Sequence, residues 1–208
     1  SVNPNILLYT NRMPLGVVTL ITPWNFPFAI PIWKMAPALV YGNTIVLKPA
    51  SATPGVATLI ARMWEAVDLP AGVFNLITGS GGTVGNELIT NDKVAAISFT
   101  GSTRIGMNIA SESAKRGKRY QLEMGGKNPV IVLPDADLEQ AAEITVSGAM
   151  KYSGQKCTAT SRAIVVGNVM EEFTNLVVEK TNALKIGAGA DPESIIVPVI
   201  DQASKDNI

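Results

Sequence analysis

Along the first 126 residues, short apolar runs rich in β-branched side chains alternate with longer stretches whose apolar residues recur every three or four positions. The runs at 16–22, 44–48, 73–78, 95–100 and 120–124 predict strands, because such short segments bounded by turn residues fit a buried strand better than a helix. The clearest helix opens with Thr53 as cap and Pro54 at the first position, then places Val56, Leu59, Ile60, Met63 and Val67 on one face. It stops near the Leu69-Pro-Ala-Gly72 turn. Further helical spacing covers about 33–40, 83–90, 103–114, 138–150 and 171–184.

Strands alternating with helices predict an α/β fold, a doubly wound parallel sheet whose ligand lies at the carboxyl ends of its strands. This unit is expected over 1–126. A second α/β unit is expected to start at 127 and to run to 208, with strands at 128–134 and 163–166 and a helix cap at 135–137. Two strands make a poor independent sheet, so 127–208 reads as the opening part of a larger domain. No internal repeat or low-complexity tract is evident.

Composition narrows the function classes. With 208 residues, 47% of them hydrophobic, the chain can bury a sizeable core. Lys+Arg and Asp+Glu both number 17, and no stretch gathers the cations into a face for nucleic acid or membrane. Lys115-Arg-Gly-Lys-Arg119 reads as a solvated loop. No apolar run approaches the length of a membrane span, and the start lacks a signal-peptide layout. A single cysteine argues against a disulfide scaffold, so a reducing, cytoplasmic location is expected. No metal site is expected.

The candidate chemistry centres on that cysteine, Cys157, in the run Gly154-Gln-Lys-Cys157-Thr. With one cysteine and no histidine in the chain, neither a cysteine–histidine pair nor an internal disulfide is available, and a nucleophilic role must rest on another base or field. A free cysteine is more commonly a small buried core residue. Its neighbours Lys156, Thr158 and Ser161 are too polar for a core segment, and Lys156 and a following helix start would favour the reactive thiolate. Glu123 ends a strand before two glycines, which puts a carboxylate on a mobile turn where it could serve as a base; an isolated glutamate there would otherwise be read as exposed. Asn25, between Trp24 and Phe26 and flanked by two prolines, is a stiffly held donor or simply a turn residue.

Glycine-bearing turns recur after the strands, at Gly79-Ser-Gly-Gly82 and at Gly101-Ser102 through Gly106. Glycine permits close backbone approach, and a helix start offers N–H groups to phosphate. The Gly-x-x-x-x-Gly spacing departs from both common nucleotide-loop patterns and is weak evidence alone.

Taken together, Pro23-Trp-Asn-Phe-Pro27, Phe99-Thr-Gly-Ser-Thr103, Glu123-Met-Gly-Gly-Lys127 and the Cys157 run resemble the signature set of the aldehyde dehydrogenase superfamily, in that family's order. The resemblance implies an NAD(P)-dependent oxidation of an aldehyde to an acid, with Cys157 as nucleophile, Glu123 as the base for hydrolysis of a thioester, and Asn25 with the cysteine N–H as oxyanion donors. It implies cofactor contacts from Thr22, Pro23, Trp24, Lys48, Ser51, Gly79, Gly101, Ser102 and Gly106. Relatives that prefer NAD often carry glutamate where this chain has Ser51, so NADP is expected to be accepted and slightly favoured over NAD. The lean in substrate is toward semialdehydes.

Family members are longer. A preceding part of the cofactor domain and a later Glu-x-Phe-Gly-Pro segment are therefore expected beyond this chain, which alone should turn over little, and residues 1–15 are expected to include part of an oligomerisation strand. The full-length protein is expected to be a homo-oligomer. Three rivals stay open: a coenzyme-A-acylating relative, a phosphate-linked semialdehyde reductase, and a non-catalytic dinucleotide-binding module. Glu123 disfavours the first two, and the joint presence of Cys157, Glu123 and Asn25 weighs against the third.

Overall fold

A computed structural model describes residues 5–208. Five strands, β1 (Val17–Ile21), β2 (Thr44–Lys48), β3 (Phe74–Leu76), β4 (Val94–Gly101) and β5 (Arg119–Met124), form one sheet in the order β3-β2-β1-β4-β5. All four pairings are parallel. The connections carry helices α1 (Ala29–Val40), α2 (Pro54–Ala66), α3 (Asn86–Thr90) and α4 (Thr103–Lys115).

Because successive side chains on a strand point to opposite faces, β1 contributes to two cores at once. Val18 and Leu20 pack with Met35 of α1, Ala57 and Ile60 of α2, and Ile45 and Leu47 of β2. Val17 and Ile21 pack instead with Ile89 of α3, Ile109 of α4, and Ile97 and Phe99 of β4. Helices cover both faces, which is the doubly wound arrangement the alternation predicts. The chain steps outward from β1 to β3, then returns to the other side of β1 for β4 and β5. At that reversal the chain after β1 leads to α1 on one face and the chain after β4 to α4 on the other, the arrangement that in doubly wound sheets opens a crevice at the carboxyl edge.

A second unit runs from Gly125 to Ile208, the first ending at Met124. It pairs β6 (Asn128–Val132) with β7 (Thr160–Val165) in parallel and adds helices α5 (Leu138–Met150), α6 (Met170–Asn182) and α7 (Gln202–Asp206). Val132, Ala142 and Phe173 form its core. Asp137 caps α5 by accepting the Gln140 N–H at 3.0 Å, where the sequence places a cap.

Several boundaries shift for local reasons. Helix α1 starts at Ala29 rather than near 33, because Pro31 falls in the first turn, where a missing N–H removes no helical bond. Strand β3 is three residues long at the sheet edge instead of the expected 73–78. Strand β7 begins at Thr160, earlier than 163, and α7 carries no apolar periodicity that would have announced it. A π-helical turn, Gly81–Gly85, precedes α3 and is capped by Ser80, whose hydroxyl accepts the Thr83 N–H at 3.1 Å. The segment expected to pair subunits, 1–15, begins outside the described residues. Among the described residues no helix is long and apolar enough to cross a membrane.

Leu20 is fully buried on the strand shared by both cores, so Leu20→Ala should destabilise the fold by about 3 kcal/mol. The same truncation at the exposed Leu59 of α2 should cost under about 1 kcal/mol, the difference being read by urea unfolding.

Candidate active site

In a parallel sheet the strands' carboxyl ends share one edge, and the predicted residues of the first unit cluster along it. Thr22, Pro23, Trp24 and Asn25 follow β1 in the turn leading to α1, Lys48 ends β2 with Ser51 three residues on, and Gly79 follows β3. Gly101 ends β4, Ser102 is the N-cap of α4, and Glu123 lies one residue before the end of β5. The register aligns them: Ile21 pairs with both Lys48 and Phe99, and Thr100 pairs with Glu123.

The Lys48 ammonium is buried, and its only hydrogen bond among the described residues goes to the Pro49 carbonyl at 3.2 Å. Burial holds its pKa below the usual lysine value. The Thr22 N–H donates to the Lys48 carbonyl at 3.2 Å, while the Thr22 hydroxyl is buried with no partner. After β2 and β3 a cavity of about 250 Å³ is lined by Pro49, Ala50, Ser51, Pro54, Thr78, Gly79 and Ser80. Gly79 sits at φ +146°, and a Cβ there would come within 2.5 Å of Val84, so any side chain would both strain the turn and meet the π-helical turn behind it. The Ser51 hydroxyl donates to the Gly79 carbonyl at 3.4 Å across the mouth of this cavity. An under-used buried cation, an orphaned hydroxyl and a side-chain-free approach fit the sugar and phosphate groups of a dinucleotide.

Ser102 accepts the Ile105 N–H at 3.4 Å, capping α4 and leaving its own proton free to donate. Gly106, on the buried face of α4, looks inward rather than toward the edge. A Cβ there would collide with the Met124 sulfur, so this glycine lets α4 sit close on the sheet.

Beside Glu123 the sheet edge carries a network that the sequence motifs do not announce. Lys34 of α1 donates to Ser98 Oγ at 2.9 Å, to the Phe99 carbonyl at 3.3 Å and to Gln121 Oε1 at 3.1 Å. Ser98 also donates to Gln121 Oε1 at 2.7 Å, and Gln121 Nε2 donates to Glu123 Oε1 at 2.6 Å. Burial pulls the Lys34 pKa down to about 8, with the Glu123 charge pulling the other way. One signal was available in advance: Lys34 is the only charged residue in α1, whose other side chains are apolar.

The second unit holds Cys157, exposed in a turn before β7. The cysteine leads into a strand, not the expected helix start, so no helix N-terminus adjoins the thiol there. The loop's shape is unusual. Tyr152, Ser153 and Gly154 take φ of +64°, +53° and +70°, a left-handed run that two side chains disfavour. Ser153 Oγ donates to the Val197 carbonyl at 2.6 Å and accepts the Val197 N–H at 3.0 Å. Gln155 Oε1 accepts the Ile200 N–H at 2.9 Å. Asn128 at the head of β6 donates to the carbonyls of Cys157 at 2.7 Å and Ala159 at 3.0 Å. No sequence pattern pointed to these props, since each joins residues at least 29 positions apart.

The chain as a whole is similar to known proteins. The model of the Aldehyde dehydrogenase family matches residues 1–208. The alpha-ketoglutaric semialdehyde dehydrogenase of Bacillus subtilis is 50% identical over 207 residues, covering 100% of this chain and 42% of that relative. An NADP-dependent enzyme of E. coli superposes with a TM-score of 0.89 at 44% identity, over 92% of this chain and 40% of the other. Betaine aldehyde dehydrogenase of Staphylococcus aureus, in complex with NAD+, gives 0.90 at 37% identity, over 93% and 38%. This chain therefore spans about two fifths of the length of the relatives it matches.

The lowered pKa of Lys34 makes stability depend on pH. Between pH about 8 and about 10.5 the unfolded lysine binds a proton that the folded one has lost, so this group's destabilisation is complete below that window and fades as pH rises through it. Lys34→Met removes the effect. Relative to that variant, the parent protein should gain stability between about pH 7.5 and about pH 10, measured by urea unfolding at both.

Proposed function

The chain belongs to the aldehyde dehydrogenase family, and on that footing we propose that the full-length protein oxidises an aldehyde, of the semialdehyde class, to a carboxylic acid with NADP or NAD. The observation that carries this reading is the exposed Cys157 on a loop whose backbone is fixed from three sides, in a chain whose other unit lines a sheet edge with a buried lysine, an orphaned hydroxyl and a glycine cradle. A nucleophile must be both reachable and held still.

In this reading Cys157 Sγ attacks the aldehyde carbon, forming a carbon–sulfur bond and placing negative charge on the former carbonyl oxygen. The side-chain N–H of Asn25 and the N–H of Cys157 donate to that oxygen, and one such donor is worth about 3 kcal/mol of barrier or more. When bound, the nicotinamide supplies the acceptor for the hydride that the carbon then releases. The product on the enzyme is a thioester at Cys157. Glu123 takes a proton from water, whose oxygen adds to the thioester carbon, and the carbon–sulfur bond breaks to free the acid and the thiolate. Aldehyde plus water becomes acid, with one hydride and one proton removed.

Lys48, Thr22 and Ser51 would hold the adenosine side of the dinucleotide, and Ser102 with the start of α4 would hold phosphate. Ser51 is neutral and its hydroxyl is turned to the Gly79 carbonyl, so nothing at this position repels a 2′-phosphate, while Lys48 is a cation close by in sequence. The likeness to the Bacillus subtilis relative supports the semialdehyde class.

Cys157→Ala should reduce aldehyde-dependent NADPH formation to background while leaving NADP binding, followed by quenching of tryptophan fluorescence, within about twofold of the parent. Activity that survives the substitution would remove the nucleophile and leave a dinucleotide-binding module. Ser51→Glu should lower kcat/KM for NADP by at least about tenfold while changing that for NAD little, because a new carboxylate faces the 2′-phosphate. Steady-state rates with both dinucleotides check it.

A further inference from the structure

Gln121 and Glu123 lie two residues apart on β5, so their side chains emerge on the same face of the sheet. Their contact is not an incidental meeting of two flexible groups. Gln121 Oε1 already accepts from the Lys34 ammonium and the Ser98 hydroxyl. An ammonium can only donate, so the atom facing it must be the amide oxygen, and the amide NH₂ is thereby turned to Glu123. Lys34 is fixed in its own right, since its three protons go to three acceptors on β4 and β5. A cation on α1 thus sets the direction of an amide dipole on β5, and that dipole presents its positive end to the carboxylate.

We propose that Gln121 is a positioning residue for Glu123, holding Oε1 of the carboxylate so that Oε2 is presented in one orientation to the water that attacks the thioester. This rests on the reading of Glu123 as the base. A glutamate with three free torsions at the end of a strand, ahead of Gly125 and Gly126, would otherwise sample many poses, only some of which reach that water. Gln121 bridges the structural cation to the base without touching substrate. Its loss should therefore slow hydrolysis and none of the steps before it.

The test uses the full-length protein, NADP and 2-oxoglutarate semialdehyde, with NADPH formation followed by stopped flow and in the steady state. Gln121→Leu should keep the rate of the first-turnover burst within about twofold and lower the steady-state kcat on the order of tenfold, the cost of a misplaced catalytic group. Gln121→Glu should lower it as well, since a carboxylate has no proton to give Glu123 and carries the same charge. Gln121 is exposed, so both variants should fold.

Epistasis separates positioning from a general structural effect. Glu123→Gln alone should lower steady-state kcat by about a hundredfold or more, and adding Gln121→Leu to it should change the rate less than about twofold. A steady-state rate within twofold of the parent in Gln121→Leu, a rate that rises, a burst that slows in parallel, or an additive loss in the double variant would each overturn the proposal while Glu123 stayed the base. A Glu123→Gln variant with undiminished steady-state turnover would instead remove the base reading itself, and Gln121's role with it.

Discussion

The structure depends on burying β1 on both faces while it is paired along both edges. Leu20 and Val18 belong to one core, Ile21 and Val17 to the other, and the backbone bonds to β2 on one side and β4 on the other. A strand with this much buried apolar surface and no free edge cannot shift register without turning its whole side-chain set over. The strand order reverses around it. Since all the strands are parallel, every turn that follows one opens at the same edge, and the groups with chemical potential in this unit are collected there.

Three lysines, Lys48 buried and Lys34 and Lys118 half-buried, tie the ends of the first unit's elements together. Lys34, Lys48 and Lys118 all have pKa values lowered mainly by burial, and each spends its protons on backbone carbonyls or on polar side chains near strand or helix ends. Lys118 gathers the carbonyls of Ile89 and Asn91 where α3 ends. Lys34 is saturated and structural; Lys48 keeps protons in reserve. The same residue type therefore serves two purposes, and the difference lies in how many acceptors surround the ammonium.

Around Cys157 the constraint is conformational. Left-handed backbone at Tyr152 and Ser153 costs of order 1 kcal/mol or more per residue and persists only where neighbours over-determine it. The reciprocal bonds of Ser153 with Val197, the capture of the Ile200 N–H by Gln155 and the clamp of Asn128 on two carbonyls supply that over-determination within the second unit. An exposed thiol on such a loop has access without mobility.

Local pattern was enough to establish the alternation of strands and helices, the parallel doubly wound sheet and the cap at Asp137, because these follow from period-2 and period-3.6 burial and from side chains bonding backbone three residues away. Cys157, Glu123 and Asn25 were joined into one reaction only by the resemblance of their motifs to the family's signature set, since each alone also reads as a core or turn residue. Local pattern misplaced the start of α1, where a proline is harmless in the first turn, and it put a helix after the cysteine where β7 pairs with β6. Long-range packing alone settled that Lys34 would orient Gln121, that Ser153 would be tied to Val197 and that Gly106 would serve the close approach to Met124. Those contacts join positions far apart in the chain, and no local pattern encodes which distant donor an acceptor will meet once the strands have been ordered.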